Sequence, residues 1–543
     1  MRQAHQLFGA SNFIQAEALY RQVLQQDPAN VDALQSLVAI CLQSNTRLQA
    51  AEQFLAQLVE ASPSEPGYLL HHANILVRLG RLDDAIGRYQ QFVERQPGQA
   101  VTHYNFALLL KQAGQLEDAI AQYQTALELG IDQPEQVHTN LSVIYSAQQR
   151  HAEARTALEM ALATKPGYVP ALYNLGLMEE EFSHWDQARA LFRQILEIDP
   201  GYSDAMVRLA NNQLITDPRD PLVDLMKKAL VSKTTSHDQR EALNFALGKV
   251  HDDTGDYAKA FTYYQQANFA GSTRAGEYFA GKHEALINAL LAAFPLQLPM
   301  AANTDRPVFI CGMFRSGSTL LAQMLGAHPD LTSAGEVEFF SRQVPLTNLP
   351  TLPETIDEPL LANLTSRYRR HLQQQFPNAT RIIDKRPDNF LYIGLIMAMY
   401  PNALIINTCR QPLDNCLSVY AQPLAGHMAY ATDLLATGHY YVQYQRLMNH
   451  WRQCWPDNII DVDYDQLVQN PSTVLAPLAD FLNLDDYKPC LDFHKTHNRV
   501  RTASVWQVRQ PLHQSSSGRW RHYAEQLQPL ADYLDQQGIA SRA

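Results

Sequence analysis

Gly312-Met313-Phe314-Arg315-Ser316-Gly317-Ser318-Thr319 closes a short apolar run at 307–312 and leads at once into the helical stretch 320–327. A strand, a glycine-bearing turn and a helix start in that order form an anion cradle, because the first turn of a helix presents unpaired N–H groups and the positive end of its dipole. The spacing nearly matches GxxxxGK[ST], but Ser318 stands where the lysine of a triphosphate-binding loop belongs. Without that lysine, a kinase or ATPase lacks the cation between its β- and γ-phosphates. The cation comes earlier, as Arg315.

Outward from this loop, further apolar runs suited to buried parallel strands occur at 381–384, 403–409 and 458–462, separated by helical stretches. Alternation of this kind predicts a three-layer α/β domain over 307–543, with a parallel sheet. A proline-bearing segment at 296–306 reads as the linker before it.

Upstream the texture is periodic. Prolines stand at Pro28, Pro63, Pro97, Pro166 and Pro200, and Ala16, Ala51, Ala85, Ala119, Ala154 and Ala188 recur every 34 or 35 residues. Gly80-Arg81-Leu82-Asp83-Asp84-Ala85-Ile86 and Gly114-Gln115-Leu116-Glu117-Asp118-Ala119-Ile120 place glycine at a turn between helices and a small alanine where the second helix must come close. Aromatics follow at Tyr20, Tyr89 and Tyr123. The pattern resembles the tetratricopeptide repeat, strongly over about residues 1–205. Gly255-Asp256-Tyr257-Ala258-Lys259-Ala260 restores the phase with Ala258 two periods of 35 after Ala188, leaving a degenerate repeat near 205–240. The expectation is an all-α superhelical solenoid over 1–295, of about six to eight repeats, whose concave face takes a peptide or protein partner.

The motifs of the C-terminal half carry a second resemblance. Arg-Ser-Gly-Ser-Thr after a first strand looks like the 5'-phosphosulfate loop of the sulfotransferases, in the branch of the tyrosylprotein sulfotransferases, which usually read Arg-Ser-Gly-Thr-Thr. The resemblance implies a P-loop-like fold and 3'-phosphoadenosine 5'-phosphosulfate (PAPS) as co-substrate, held by Arg315, Ser316, Gly317, Ser318 and Thr319. Ile383-Asp384-Lys385-Arg386-Pro387 resembles the family's Lys-x-Pro segment, which gives Lys385 the role of stabilising the departing bridging oxygen. In the stretch from Cys409 to Ser418, Arg410 and Ser418 match the arginine and serine that grip the 3'-phosphate, and the planar fork of arginine suits that task. Asp463-Tyr464-Asp465-Gln466-Leu467 resembles a segment whose tyrosine lies near the nucleotide. Gln514-Ser515-Ser516-Ser517-Gly518-Arg519-Trp520 resembles the C-terminal cover, with Arg519 as a second cation.

For the general base the resemblance points to Ala334-Gly335-Glu336-Val337-Glu338, where Glu336 is favoured and Glu338 stays open. Catalytic roles thus fall on Glu336, Lys385 and Arg315. Two departures leave the acceptor open beyond a hydroxyl group: Gln422 replaces an arginine of the tyrosylprotein enzymes, and no membrane anchor like theirs is expected.

Composition bounds the rest. The 543 residues carry a net charge of -12, which disfavours nucleic acid as a partner. Six scattered cysteines without a CxxC pair indicate neither a disulfide framework nor a zinc ribbon, and His494-Lys495-Thr496-His497 lacks the companions of a metal site, so no metal is expected. No run of about 18 apolar residues occurs, and the expectation is a cytoplasmic protein without a membrane segment. The rival reading is a non-catalytic repeat scaffold whose α/β domain senses a nucleotide or is inert.

Overall fold

The computed structural model describes residues 1–43, 45–294, 305–351, 357–424, 426, 428–493, 512 and 516–542. Most of the expected linker, and the His494/His497 pair, lie outside them. The chain divides into two compact units, Met1–Leu175 and Gly176–Ala543.

The first unit is a run of antiparallel helix pairs, such as Gly67–Arg78 with Leu82–Arg95 and Ala100–Gln112 with Leu116–Glu128. Each pair turns in the same way. Gly80 and Gly114 adopt φ of 76° and 78°, and the following N–H groups reach back across the turn, Arg81 to the Leu76 carbonyl and Gln115 to the Leu110 carbonyl, both at 2.9 Å. This is the glycine-terminated helix end that satisfies otherwise orphaned carbonyls. Ser11 and Gln149 take the same left-handed conformation in other repeats, as does Ser183 in the second unit. Five residues after these turns stand the marker alanines at 16, 85, 119, 154 and 188, which are wholly buried, as is Ala51 after a 3-10 turn. A larger side chain there has no room. Ala119→Leu is expected to cost about 1–3 kcal/mol through overpacking, read as a lower thermal midpoint with secondary structure retained.

In the second unit the pattern corrects one expectation. Ala258 is exposed, and the buried small residue is Ala260, five after Gly255 at φ 77°. The interval from Ala188 to Ala260, which contains the degenerate repeat, is therefore two residues longer than two periods of 35. The helices of that repeat, Ser203–Asn211 and Pro221–Val231, are short, and the Asp-Pro segment before the second sets where it starts. The Asp220 side chain accepts the Leu222 N–H at 2.9 Å, and Pro221 occupies the first turn. The pair His237–Asp253 and Tyr257–Ala275 then restores the regular form, opened by a capping box at Ser236 and Gln239.

The sheet follows. β1 (Val308–Gly312), β2 (Thr332–Gly335), β3 (Ile382–Lys385), β4 (Leu404–Cys409) and β5 (Ile459–Asp463) form one sheet, all neighbours parallel, in the order β2-β3-β1-β4-β5. Phe309 and Cys311 of β1 face one apolar cluster, and Val308 and Ile310 face another, so the sheet is covered on both sides. The expected three-layer α/β architecture is present. Its second strand was not foreseen: Thr332-Ser333-Ala334-Gly335 has no apolar run, lies at the sheet edge and is only half-buried. The strand order reverses direction at β1, and in open parallel sheets the crevice beyond the carboxyl ends at that point receives ligands.

Candidate active site

Every strand delivers one part of the site from its carboxyl end. β1 runs into the loop 313–317 and the helix Ser318–Leu325. The loop needs its glycines. A Cβ on Gly312 (φ 145°) would lie 2.5 Å from the Thr408 carbonyl oxygen, and one on Gly317 (φ 99°) would lie 2.4 Å from the Tyr464 ring. Gly317→Ala is therefore expected to push Tyr464 off the loop and to weaken anion binding about ten-fold or more, measured by calorimetry with the folded variant.

Ser316 points inward, its hydroxyl 2.6 Å from Thr408 Oγ1, which in turn donates to the Cys311 carbonyl at 3.0 Å. Its side chain shapes the loop and does not line it. Thr319, the second residue of that helix, faces Lys385 instead, with Oγ1 3.5 Å from Nζ. Ser318 is buried at the first helical position.

Arg315, at φ 68°, directs Nε to Ser418 Oγ at 3.3 Å. Arg410, just past β4, donates through Nη1 to the Arg315 carbonyl at 3.3 Å and through Nη2 to the Ser516 carbonyl, with its guanidinium 4.9 Å from the centre of the Tyr464 ring. Desolvation, then the charge of Arg410, pushes the Arg315 guanidinium down to about 10, and Arg519 adds to that effect. Buried Arg410 Nε has no hydrogen-bond partner among the described residues. Two guanidinium groups held this close, one with an orphaned donor, make a place suited to a polyanion.

On the other side of β1, Lys385 ends β3 with only 2% of its surface exposed. Its Nζ lies 2.5 Å from Glu336 Oε1. A register shift between Ser333 and Gly335 sets Gly335 opposite Asp384, so Glu336 comes next to Lys385. Glu338 turns away and pairs with Arg342 on the surface. Behind Lys385, buried Asp384 accepts hydrogen bonds from Tyr368 (2.8 Å) and Asn389 (3.2 Å), and burial pushes its carboxyl up to about 7.

Arg519 differs from the expectation in its partners. Its Nη2 lies 3.1 Å from Asp252 Oδ2 and 3.3 Å from the Tyr264 hydroxyl. Desolvation opposes its charge, but Tyr264 and Asp252 hold its pKa above the ordinary arginine value. Sequence reasoning also passed over Asp414, which accepts the Gly518 and Trp520 N–H groups, each at 2.6 Å. No local pattern could have revealed partners more than a hundred residues away.

The profile described as "Sulfotransferase family" matches residues 307–489. This stretch is a sulfotransferase-family domain. Profiles of the tetratricopeptide repeat match 7–75, 70–134, 104–169, 141–203 and 242–268, so the chain joins such repeats to the sulfotransferase domain. An uncharacterized protein of Aquifex aeolicus is 30% identical over 73% of this chain and 54% of its own length. The chain thus spans about half of that relative. Protein-tyrosine sulfotransferase 1 of Danio rerio is 25% identical over 35% of this chain and 56% of its own. Among solved structures, the sulfotransferase domain of the Synechococcus PCC 7002 olefin synthase is 22% identical, with a TM-score of 0.33, covering 41% of this chain and 90% of that one. No helix among the described residues is long and apolar enough to cross a membrane.

Proposed function

We propose that the chain transfers a sulfuryl group from PAPS to a hydroxyl acceptor, while the repeats hold a peptide or protein partner. The observation that carries this reading is the convergence of Arg315, Arg410 and Ser418 on one side of the β1 loop with Lys385, Thr319 and Glu336 on the other. In this reading the helix start at Ser318 and the Arg315 guanidinium bind the 5'-phosphosulfate, and Arg410 with Ser418 fixes the 3'-phosphate. Tyr464 closes over the loop.

Lys385 lies between the loop hydroxyl of Thr319 and the carboxylate of Glu336, which is where a bridging oxygen would leave and an acceptor would enter. Glu336 accepts the proton of the attacking hydroxyl as its oxygen bonds to sulfur, and Lys385 offsets the charge gathering on the oxygen that departs with the 3',5'-bisphosphate. Asp384 and Asn389 hold the strand end from behind. The Asp252 carboxylate compensates the charge of Arg519, and the Tyr264 hydroxyl accepts from its guanidinium, so Arg519 acts in this reading through the segment that carries it. The name of the Danio rerio relative makes a tyrosine hydroxyl one acceptor to test first.

Calorimetry with adenosine 3',5'-bisphosphate against ATP tests the reading. The bisphosphate should bind at least ten-fold more tightly, since the loop lacks the lysine that a triphosphate needs. Tight ATP binding with no bisphosphate binding would sink the proposal. Labelled PAPS incubated with a cell lysate then tells whether label lands on protein or on a small molecule.

A further inference from the structure

The last regular pair of repeat helices shares a core with the sheet. Phe245, Phe261 and Tyr264 belong to the same apolar cluster as Phe309 and Cys311 of β1. Asn268 of that pair donates to the Tyr420 carbonyl at 2.8 Å, at the end of the helix Pro412–Tyr420 that carries Ser418. The pair also holds a segment of the site itself.

Asp252 lies in the last turn of the helix His237–Asp253, where a helix dipole disfavours negative charge and a carboxylate needs a counter-charge. That counter-charge is Arg519, with Nε 3.3 Å from Oδ1 and Nη2 3.1 Å from Oδ2. The Tyr523 hydroxyl also donates to Asp252, and Tyr257 stacks on His522 at 4.3 Å. From the opposite side, Asp414 accepts the Gly518 and Trp520 N–H groups, and Arg410 donates to the Ser516 carbonyl. Segment 516–523 is therefore gripped by two carboxylates, one in the helix Pro412–Tyr420 of the α/β domain and one in the repeats. Releasing either grip frees the backbone that positions the Arg410 guanidinium.

We propose that Asp252 is a positioning residue for the nucleotide site: through Arg519 it holds segment 516–523 against Arg410, so the last repeat pair supports one wall of that site. This rests on the sulfuryl-transfer reading above. The test is calorimetry of the full-length protein with adenosine 3',5'-bisphosphate. Asp252→Asn keeps the shape and removes the charge, and should weaken binding about ten-fold while leaving turnover at saturating donor near the wild-type value. The reversed pair, Asp252→Arg with Arg519→Asp, should recover part of the loss.

Unchanged binding by Asp252→Asn would overturn the proposal. So would tighter binding, since it would mean that Arg519, once released, grips the ligand directly. Should Asp252→Asn not fold, Tyr523→Phe removes one hydroxyl from the same carboxylate, and a loss of about three-fold is expected on the same logic. Wild-type protein that binds no bisphosphate would strike down the sulfuryl-transfer reading instead. In that event a double-mutant cycle of Asp252 and Arg519 on thermal midpoints still reads the strut, and additive effects would refute it.

Discussion

Lys385→Ala is expected to lower turnover about 10²–10³-fold, the usual loss when one fixed donor at a developing negative charge is removed. The side chain is almost wholly buried, yet its partner Glu336 keeps 42% of its side chain in solvent, so losing the ammonium does not strand a buried carboxylate. The thermal midpoint should therefore stay close to wild type, unlike the case in which breaking a fully buried pair destabilises the fold. Bisphosphate affinity should fall only a few-fold, because Arg315, Arg410 and the helix start remain. Lys385→Met, which keeps the length of the side chain, should behave like the alanine variant. Transfer of label from PAPS, compared at saturating donor, makes the measurement. Full turnover in either variant would remove Lys385 from the mechanism and leave its contact with Glu336 as an ordinary ion pair.

The parts of this site that could be read in the sequence are those whose chemistry is local. The β1 loop declares itself because Gly312 and Gly317 must occupy backbone conformations open to few other residues, and because Arg315 and the serine-threonine start of the helix sit within eight positions. β3 and β4 declare themselves by buried apolar runs. β2 does not, since an edge strand of Thr-Ser-Ala-Gly buries too little to need apolar residues, although it is the strand that delivers Glu336. Repeat periodicity located the small alanines to the residue until the Asp-Pro insertion changed the period. There the spacing chose Ala258, whereas the turn glycine at 255 would have chosen Ala260. Arg519 shows the deeper limit. Its place in a motif was visible, but its partner Asp252 lies 267 residues away, and only the folded chain sets the two side by side.

Arg410 supports the last expectation, which separates recognition of the 3'-phosphate from general attraction of anions. Two of its nitrogens are committed, to the Arg315 and Ser516 carbonyls, and its plane rests against Tyr464, so the fork is fixed in orientation while buried Nε lacks a partner among the described residues. Arg410→Ala should weaken adenosine 3',5'-bisphosphate about 10²-fold, within the range for truncating one partner of a buried charged contact. Adenosine 5'-phosphate, which lacks the 3'-phosphate, should lose only a few-fold. Arg410→Lys keeps the charge but not the planar fork, and should fall between wild type and alanine for the bisphosphate alone. The comparison of the two ligands is what decides. Loss of a general positive charge near the site would weaken both by the same factor, whereas loss of a phosphate contact weakens only the ligand that carries that phosphate. Equal losses for both would move Arg410 from recognition to support, and would leave Ser418 and Arg315 as the groups that tell the two nucleotides apart.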